Sequence, residues 1–292
     1  MKFNIANIRF AFPDSFLTGH LAVALAPFKT DDNAEIDFEM VYNPSIRFEG
    51  EYHEQELFIY SEDEADCHFG VDDAGNYILR MEPHDKSATP TLFLISKDGT
   101  HAECDHSEGH LEASLRFGLW IAYNAMAVRR DTVAIHSSTI VYRGQALLML
   151  GESGTGKSTH TRLWRENITG AKLLNDDSPI VRGNPEGASE VYGSAWSGKT
   201  PCYLNHHVPV RAFIRLSQAP HNRLRKLSRL ESIGALLPSC PLAFSHDKLL
   251  FDFVCRTVSA ILSHTEVYHL ECLPNAAAAE LVRDTLFPDA EK

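Results

Sequence analysis

The chain has 292 residues, more than a single hydrophobic core usually supports, and this length predicts two domains or one elaborated domain. Hydrophobic residues make up 44% and charged residues 23%, which is the composition of an ordinary globular protein. The formal net charge of −12 argues against nucleic acid or an anionic membrane as the main partner, because both are polyanions.

The sequence carries no sign of a membrane span or of secretion. It contains no run of about 18 uninterrupted apolar residues. The first stretch, MKFNIANIRFAF, lacks the apolar core and small-residue cleavage site of a signal peptide. The six cysteines are scattered without close pairs and predict free buried thiols rather than a disulfide framework. We therefore expect a cytoplasmic protein.

The first part of the chain is rich in short β-type runs. Turn residues separate runs of β-branched and aromatic residues, a pattern that favours an antiparallel meander or a small sandwich. Strands are predicted at residues 3–12, 36–42, 45–51, 56–60, 77–81 and 91–96. Apolar residues then recur every four positions and predict a helix at 111–127. We place a boundary near Ser107, between a β-rich domain (1–107) of open role and a second domain (108–292) that begins with this helix.

The second part alternates short buried strands with helices, so the fold class is α+β or α/β. Strands are predicted at 133–135, 140–142, 145–150, 172–174, 180–182, 190–192, 211–216 and 267–272. Helices are predicted at 158–166, 228–237, 249–262 and 275–286.

The most specific motif is GESGTGKST at residues 151–159. It fits the phosphate-loop pattern G-x-x-x-x-G-K-[ST] and lies between a predicted strand and a predicted helix, as the motif requires. Glycines allow the tight turn, backbone N–H groups point into the concavity, and the helix start adds partial positive charge. Lys157 can reach the outer phosphates and the Ser158 hydroxyl can join a Mg²⁺ shell. The predicted nucleotide cradle consists of Gly151, Glu152, Ser153, Gly154, Thr155, Gly156, Lys157, Ser158 and Thr159.

An acidic pair, Asp176 and Asp177, follows the next predicted strand. Adjacent strand residues point to opposite sides, so one carboxylate can hold Mg²⁺ while the other accepts a proton from an attacking hydroxyl. The same residues also fit a solvated turn, since Asp commonly begins turns. Beside a phosphate loop, we interpret the pair as part of the site.

Two further features are candidates for the same site. His136 ends an apolar strand, and a hairpin can return it to the loop's end of the sheet, where a neutral imidazole can contact a metal or a phosphoryl group; a purely structural histidine is the alternative. The segment 193–199 carries Lys199, which can neutralise phosphate charge, and Trp196, which can exclude water, although an ordinary surface loop is equally compatible.

Taken in order and spacing, the His136 strand, the GESGTGKST loop and the Asn-Asp-Asp strand end resemble the C-terminal domain of HPr kinase/phosphorylase. They also resemble the phosphate-binding core of phosphoenolpyruvate carboxykinase, which shares that fold. The resemblance spans about residues 132–286 and implies a phosphate-loop domain with a mixed sheet. It implies that Asp176 is the base and that Ser158 and Asp177 are the Mg²⁺ partners, with the roles of the two aspartates interchangeable.

The resemblance implies a Mg²⁺-dependent kinase that uses ATP, or another nucleoside triphosphate, and acts on a hydroxyl, with a serine of a peptide, protein or small molecule as acceptor. The glycine-rich acidic signature of true HPr kinases is absent and residues 193–199 stand in its place, so HPr itself is not the expected acceptor. Two alternatives stay open, a non-catalytic ATP-binding module and a carboxykinase-like reaction on a small acid. Homo-oligomerisation is also left open.

Overall fold

A computed structural model describes residues 1–47, 49–59, 64–198 and 200–288. Within these ranges the chain is a mixed α/β protein with two mixed sheets and six α-helices. It divides into two compact units. The first is Met1–Arg130 with Ala243–Phe251, and the second is Asp131–Leu242 with residues 252–288. None of the helices in the described ranges is long and apolar enough to cross a bilayer.

The first unit contains one eight-stranded sheet, in the order β1-β2-β3-β8-β7-β6-β5-β4. Strand β3 runs parallel to both of its neighbours, and the remaining pairs are antiparallel. The strands are β1 (Lys2–Ile5), β2 (Ile8–Ala11), β3 (Phe38–Tyr42), β4 (His53–Ile59), β5 (Ala65–Val71), β6 (Tyr77–Pro83), β7 (Thr91–Ile95) and β8 (His101–Cys104). Two helices belong to this unit, α1 (Gly19–Leu25) and α2 (Glu112–Ala127).

Several predictions for the first unit are corrected by the structure. The predicted strand 3–12 is a hairpin, because Ala6 and Asn7 take φ values of +51° and +61° and turn the chain back. The described residues of the predicted strand 45–51 form no strand, and Phe48 lies outside the described ranges. Strands β5 and β8 and helix α1 were not predicted. The parallel pairs around β3 make the sheet mixed and not the antiparallel meander that the turn pattern favours.

The helix predicted at 111–127 forms, but it belongs to the first unit and not to the second. Its Tyr123 hydroxyl donates to the carbonyl of Ile5 at 3.0 Å, and a Glu112 carboxylate oxygen accepts from the Leu21 N–H at 2.7 Å. A Cβ at Gly118 would lie 2.1 Å from the Phe93 ring, so α2 approaches the sheet closely there. The compact units therefore separate at residue 130, whereas the sequence pattern placed the boundary at 107, because the polar stretch 104–109 is only a connection between β8 and α2.

The second unit contains a nine-stranded mixed sheet, with the path β12-β10-β11-β15-β14-β13-β9 and with β17 and β16 continuing from β15. Its strands are β9 (Thr132–Ala134), β10 (Ser137–Tyr142), β11 (Gln145–Leu150), β12 (Lys172–Asp177), β13 (Ile180–Arg182), β14 (Glu190–Tyr192), β15 (His207–Gln218), β16 (Arg223–Lys226) and β17 (Glu266–Cys272). The remaining helices are α3 (Lys157–Asn167), α4 (Arg229–Leu236), α5 (Lys248–His264, whose first turn is assigned to the first unit) and α6 (Ala276–Leu286).

Helices α3 and α6 cover one face of this sheet. Trp164 on α3 and Val282 on α6 are fully buried in a cluster with Met149, Ile214 and Leu270 from three parallel neighbours, β11, β15 and β17. Burial of these large apolar side chains contributes about 1.5 to 3 kcal/mol each and fixes α3 against the end of β11. The connection from β11 to α3 is therefore held rigidly at both of its ends.

All six cysteines are free thiols, and Cys67, Cys104 and Cys240 are buried as predicted. Cys202 and Cys272 are partly exposed and Cys255 is exposed, so the expectation of burial is wrong for those three. Cys255 lies on α5, where the outward helix face reaches solvent.

Candidate functional site

Strand pairing brings the predicted site residues to one edge of the second sheet. Strand β10 lies antiparallel between β11 and β12, and its first residue, Ser137, pairs with both Leu150 and Asp177. The start of β10 therefore meets the ends of the other two strands. His136, the loop that follows Leu150 and the acidic strand end all converge at this edge.

The loop at 151–156 connects β11 directly to α3. Gly151 has φ +154°, and a Cβ there would lie 2.3 Å from the Thr155 hydroxyl oxygen. Gly156 has φ +105°, a conformation that an L side chain rarely adopts, and it precedes the first residue of α3. No side chain caps this end of α3. The helix start can therefore offer its N–H groups and partial positive charge to an anion.

Lys157 folds back over the loop. Its ammonium donates to the carbonyls of Gly151 at 2.8 Å and Glu152 at 3.2 Å. Burial lowers the pKa of Lys157, and the carboxylates of Asp177 and Asp176 partly offset this effect. The ammonium thus lies between the loop and the acidic pair, where it can exchange carbonyl oxygens for phosphate oxygens.

The acidic pair divides into a buried and an exposed carboxylate. Asp176 is only 5% exposed, and its Oδ2 atom has no hydrogen-bond partner among the described residues. Asp177 is 40% exposed, with its Oδ1 3.3 Å from His136 Nδ1. Partial burial and the Lys157 ammonium lower the pKa of His136, so its ring is neutral at physiological pH and can share a hydrogen bond with Asp177. An unpaired buried carboxylate oxygen is costly, and a catalytic role is one explanation for such a group.

The structure places the other predicted residues as follows. Within the loop, the Thr155 hydroxyl donates to the Glu152 carbonyl at 2.8 Å and tightens the turn. Glu152, Ser153, Gly154 and Ser158 are exposed, and Thr159 is half-buried on the first turn of α3. Lys199 lies outside the described residues. The structure therefore brings Lys157, His136, Asp176 and Asp177 together beside the loop.

One residue that the sequence analysis did not assign to the site is Asn175. Its side chain is fully buried and its amide reaches the Ser194 hydroxyl and the Trp196 carbonyl, both at 3.2 Å. Its Oδ1 accepts from the N–H groups of Asp177 and Ser178 at 3.1 and 2.9 Å. Asn175 thus fastens the acidic strand end to the segment 193–198. The Asn-Asp-Asp sequence was visible, but the partners of the amide lie about twenty residues away and have no motif.

Two residues of β15 also contact the loop. Arg215 NH2 lies 3.4 Å from Glu152 Oε1, and Gln218 Nε2 donates to the Gly154 carbonyl at 3.3 Å. No local motif in the sequence marks Arg215 as part of the site. The signal that identifies it is the parallel pairing of Leu150 with Arg215, which only the structure reveals.

The donor set constrains which metal the site can hold. No group of three or more His, Cys, Asp and Glu side chains in the described ranges is placed to bind a metal ion. Mg²⁺ does not need such a cage, because it is commonly held by one or two protein oxygens together with phosphate and water. The Ser158 hydroxyl and the two carboxylates fit that mode of binding, and they do not fit a closed zinc site.

Comparison with known proteins adds no assignment to this geometry. The sequence matches no protein-family model and no curated protein.

Proposed function

We propose that this chain is an ATP- and Mg²⁺-dependent phosphotransferase that transfers a phosphoryl group to a hydroxyl, with a serine of a peptide, protein or small molecule as acceptor. The observation that carries the proposal is the buried carboxylate oxygen of Asp176, which has no hydrogen-bond partner among the described residues and which acts electrostatically on Lys157 at the phosphate loop. A fold tolerates such a group where a reaction uses it.

In the proposed reaction the acceptor hydroxyl oxygen bonds to the γ-phosphorus while the bond from that phosphorus to the β–γ bridging oxygen breaks, and ADP leaves. Asp176 accepts the proton of the acceptor hydroxyl. As a general base it must lie within hydrogen-bond distance of that hydroxyl when the acceptor is bound. Lys157 and the N–H groups at the start of α3 hold the outer phosphates and balance the charge on the transferring oxygens.

Ser158 and Asp177 are the proposed protein ligands of Mg²⁺. Asp176 can be the metal ligand in place of Asp177. When bound, Mg²⁺ supplies neutralisation of phosphate charge. The neutral His136 ring orients Asp177 through the contact at 3.3 Å. The need for ATP, together with six free thiols, favours a cytoplasmic location.

The test is loss of ATP during incubation with hydroxyl acceptors, namely serine, a set of serine peptides and small alcohols, with and without Mg²⁺. We expect Mg²⁺-dependent formation of ADP and a phosphoester, identified by mass spectrometry. Binding of ATP without turnover on any acceptor would instead support a non-catalytic nucleotide-binding module. Nucleotide-dependent release of CO₂ from a small acid would support carboxykinase-like chemistry.

Lys157→Ala tests the phosphate loop itself. Because this ammonium is the principal cation of the loop, calorimetric titration should show that ATP affinity falls by at least about a hundredfold. Lys172→Ala, an exposed lysine at the start of β12, is the matched control and should keep wild-type affinity. Unchanged ATP affinity in Lys157→Ala would contradict the assignment of residues 151–159 as the nucleotide-binding loop.

A further inference from the structure

Arg215 is positioned by the sheet at the mouth of the phosphate loop. Strands β11 and β15 run parallel with Leu150 opposite Arg215, and the loop begins at the next residue, Gly151. Strand β15 continues three residues further, to Gln218, whose amide reaches the Gly154 carbonyl. The carboxyl ends of parallel strands are where ligands bind in open α/β sheets. The guanidinium therefore lies beside the concavity that the loop encloses.

The contact that Arg215 makes is easily exchanged. Its side chain is 27% exposed, whereas its partner Glu152 is 85% exposed, and the two are joined by a single approach of 3.4 Å. Exposed ion pairs of this kind contribute little to stability and are weakened by salt. The guanidinium is held by its strand, while the Glu152 carboxylate is free to swing away.

Arg215 and Lys157 both contact the loop at Glu152, where the guanidinium lies 3.4 Å from the carboxylate and the Lys157 ammonium donates to the carbonyl at 3.2 Å. Two cations that contact the same loop residue can both donate to an anion bound in the concavity. A guanidinium matches the oxygens of a phosphate in a way that an ammonium does not, since it can donate two parallel N–H bonds. The loop and its neighbouring strand therefore form a two-cation arrangement suited to a polyphosphate.

We propose that Arg215 is a second phosphate-binding residue, which leaves Glu152 and donates to a phosphoryl oxygen when a nucleoside triphosphate occupies the loop. Glu152 thus competes with the nucleotide for the guanidinium. This inference rests on the proposed nucleotide-binding function and adds a residue to it.

Calorimetric titration of the full chain with Mg²⁺–ATP tests the role of Arg215. Arg215→Gln should weaken binding by about tenfold, since one charge-assisted contact is lost. Arg211→Gln is the matched control, because Arg211 lies on the same strand with 29% exposure but pairs with Glu266 instead. It should bind ATP as wild type does. Wild-type affinity in Arg215→Gln would overturn the proposal.

The double variant separates exchange from simple charge neutralisation. If Arg215 moves to the nucleotide, Glu152→Gln should tighten binding a few-fold, and Glu152→Gln with Arg215→Gln should remain about tenfold weaker than Glu152→Gln alone. If Arg215 only neutralises Glu152, removing both charges restores the affinity of Glu152→Gln. That restoration would overturn the proposal.

Arg215→Lys serves if Arg215→Gln does not fold, as judged by circular dichroism. Lysine keeps the positive charge but cannot donate the two parallel N–H bonds of a guanidinium, so ATP binding should weaken several-fold. Unchanged affinity would overturn the proposal.

The two proposals fail differently. If wild type gives no heat with Mg²⁺–ATP or Mg²⁺–ADP, the nucleotide site itself is wrong. If wild type binds and Lys157→Ala does not, while Arg215→Gln binds normally, only the role of Arg215 is wrong.

Discussion

At the scale of single residues, Asp176 combines deep burial with an oxygen that has no hydrogen-bond partner in the described part of the chain. Asp176→Asn keeps the shape and removes the proton acceptor. We expect phosphoryl transfer to fall by about a hundredfold to ten-thousandfold while ATP affinity changes less than about threefold. Paired transfer assays and titrations measure the two effects. Full activity in this variant would remove Asp176 as the base.

The same substitution has a consequence for stability. Because an uncharged amide costs less to bury than a carboxylate with an unpartnered oxygen, Asp176→Asn should raise the free energy of unfolding by about 1 kcal/mol. Asp284→Asn, on the exposed face of α6, loses only an exposed ion pair with Arg283 and is the control; it should leave activity unchanged and lower stability by less than about 0.5 kcal/mol. A marked drop in the urea midpoint of Asp176→Asn would show that the carboxylate is structural.

His106 in the first unit predicts a pH dependence that is separate from the site. Burial and the neighbouring His110 lower the pKa of His106 to about 4, with Glu112 opposing, and its Nδ1 has no hydrogen-bond partner among the described residues. The ring packs edge-on against Phe16 at 5.9 Å. Between about pH 6.5 and pH 4 the unfolded chain therefore binds more protons at His106 than the folded chain does. The contribution of His106 to the free energy of unfolding is complete above pH 6.5 and is lost as the pH falls.

The half-buried position of His106 reduces the effect, so we expect a loss of about 1 kcal/mol between pH 7 and pH 5. Urea unfolding at both values, in wild type and in His106→Gln, measures it, and the variant should show a smaller loss by that amount. Equal losses in the two proteins would contradict the prediction. The double difference removes the contribution of the other histidines.

At the scale of elements, the end of β12 depends on Asn175. Asn175→Ala leaves the Asp177 N–H, the Ser178 N–H and the Ser194 carbonyl without this partner, so we expect a loss of about 2 to 4 kcal/mol of unfolding free energy. Transfer should fall as well, because the acidic pair loses its support. Asn167→Ala is the matched control. Its exposed side chain makes one bond, to Leu163, and its removal should cost less than about 1 kcal/mol.

Elements with strong local patterns were predicted well, and those defined by distant partners were not. Helix α2 and strand β11 follow from apolar periodicity and from a continuous apolar run. Strand β16 was missed because its sequence, RLRK, is basic and mostly exposed, and only its pairing with β17 makes it a strand.

The candidate site divides in the same way. The phosphate-loop motif is local, so residues 151–159 could be proposed as a nucleotide-binding loop from spacing alone. The contact of Arg215 depends on which strands are neighbours, and those of the Asn175 amide depend on a segment about twenty residues away; a single sequence encodes neither in a local pattern. His136 was predicted at the loop's end of the sheet, and it lies there because the short hairpin of β10 and β11 leaves few alternatives. Its approach to Asp177 depends on the pairing of β10 with β12, which the sequence did not predict.

At the scale of the whole molecule, the position of α2 in the first unit predicts which truncated forms of the chain can fold. A fragment that starts at residue 108 lacks the first sheet and therefore exposes Leu115, Leu119 and Tyr123, which are buried in the full chain. We expect this fragment to aggregate or to unfold without cooperativity. Gel filtration and thermal melting followed by circular dichroism check this against the full chain. A monomeric fragment with a cooperative transition near that of the full chain would contradict the prediction.

The segment Ala243–Phe251 has a consequence for the order of folding. The chain leaves the first unit at Arg130 and returns to it only here, where Phe244 packs against Phe69 and Asp247 accepts from the Tyr77 hydroxyl. On the ribosome the first unit therefore lacks part of its core until residue 251 has emerged. Most of the second unit has been synthesised by then, so we expect the two units to complete their folding together, late in synthesis and not from the N-terminus onward.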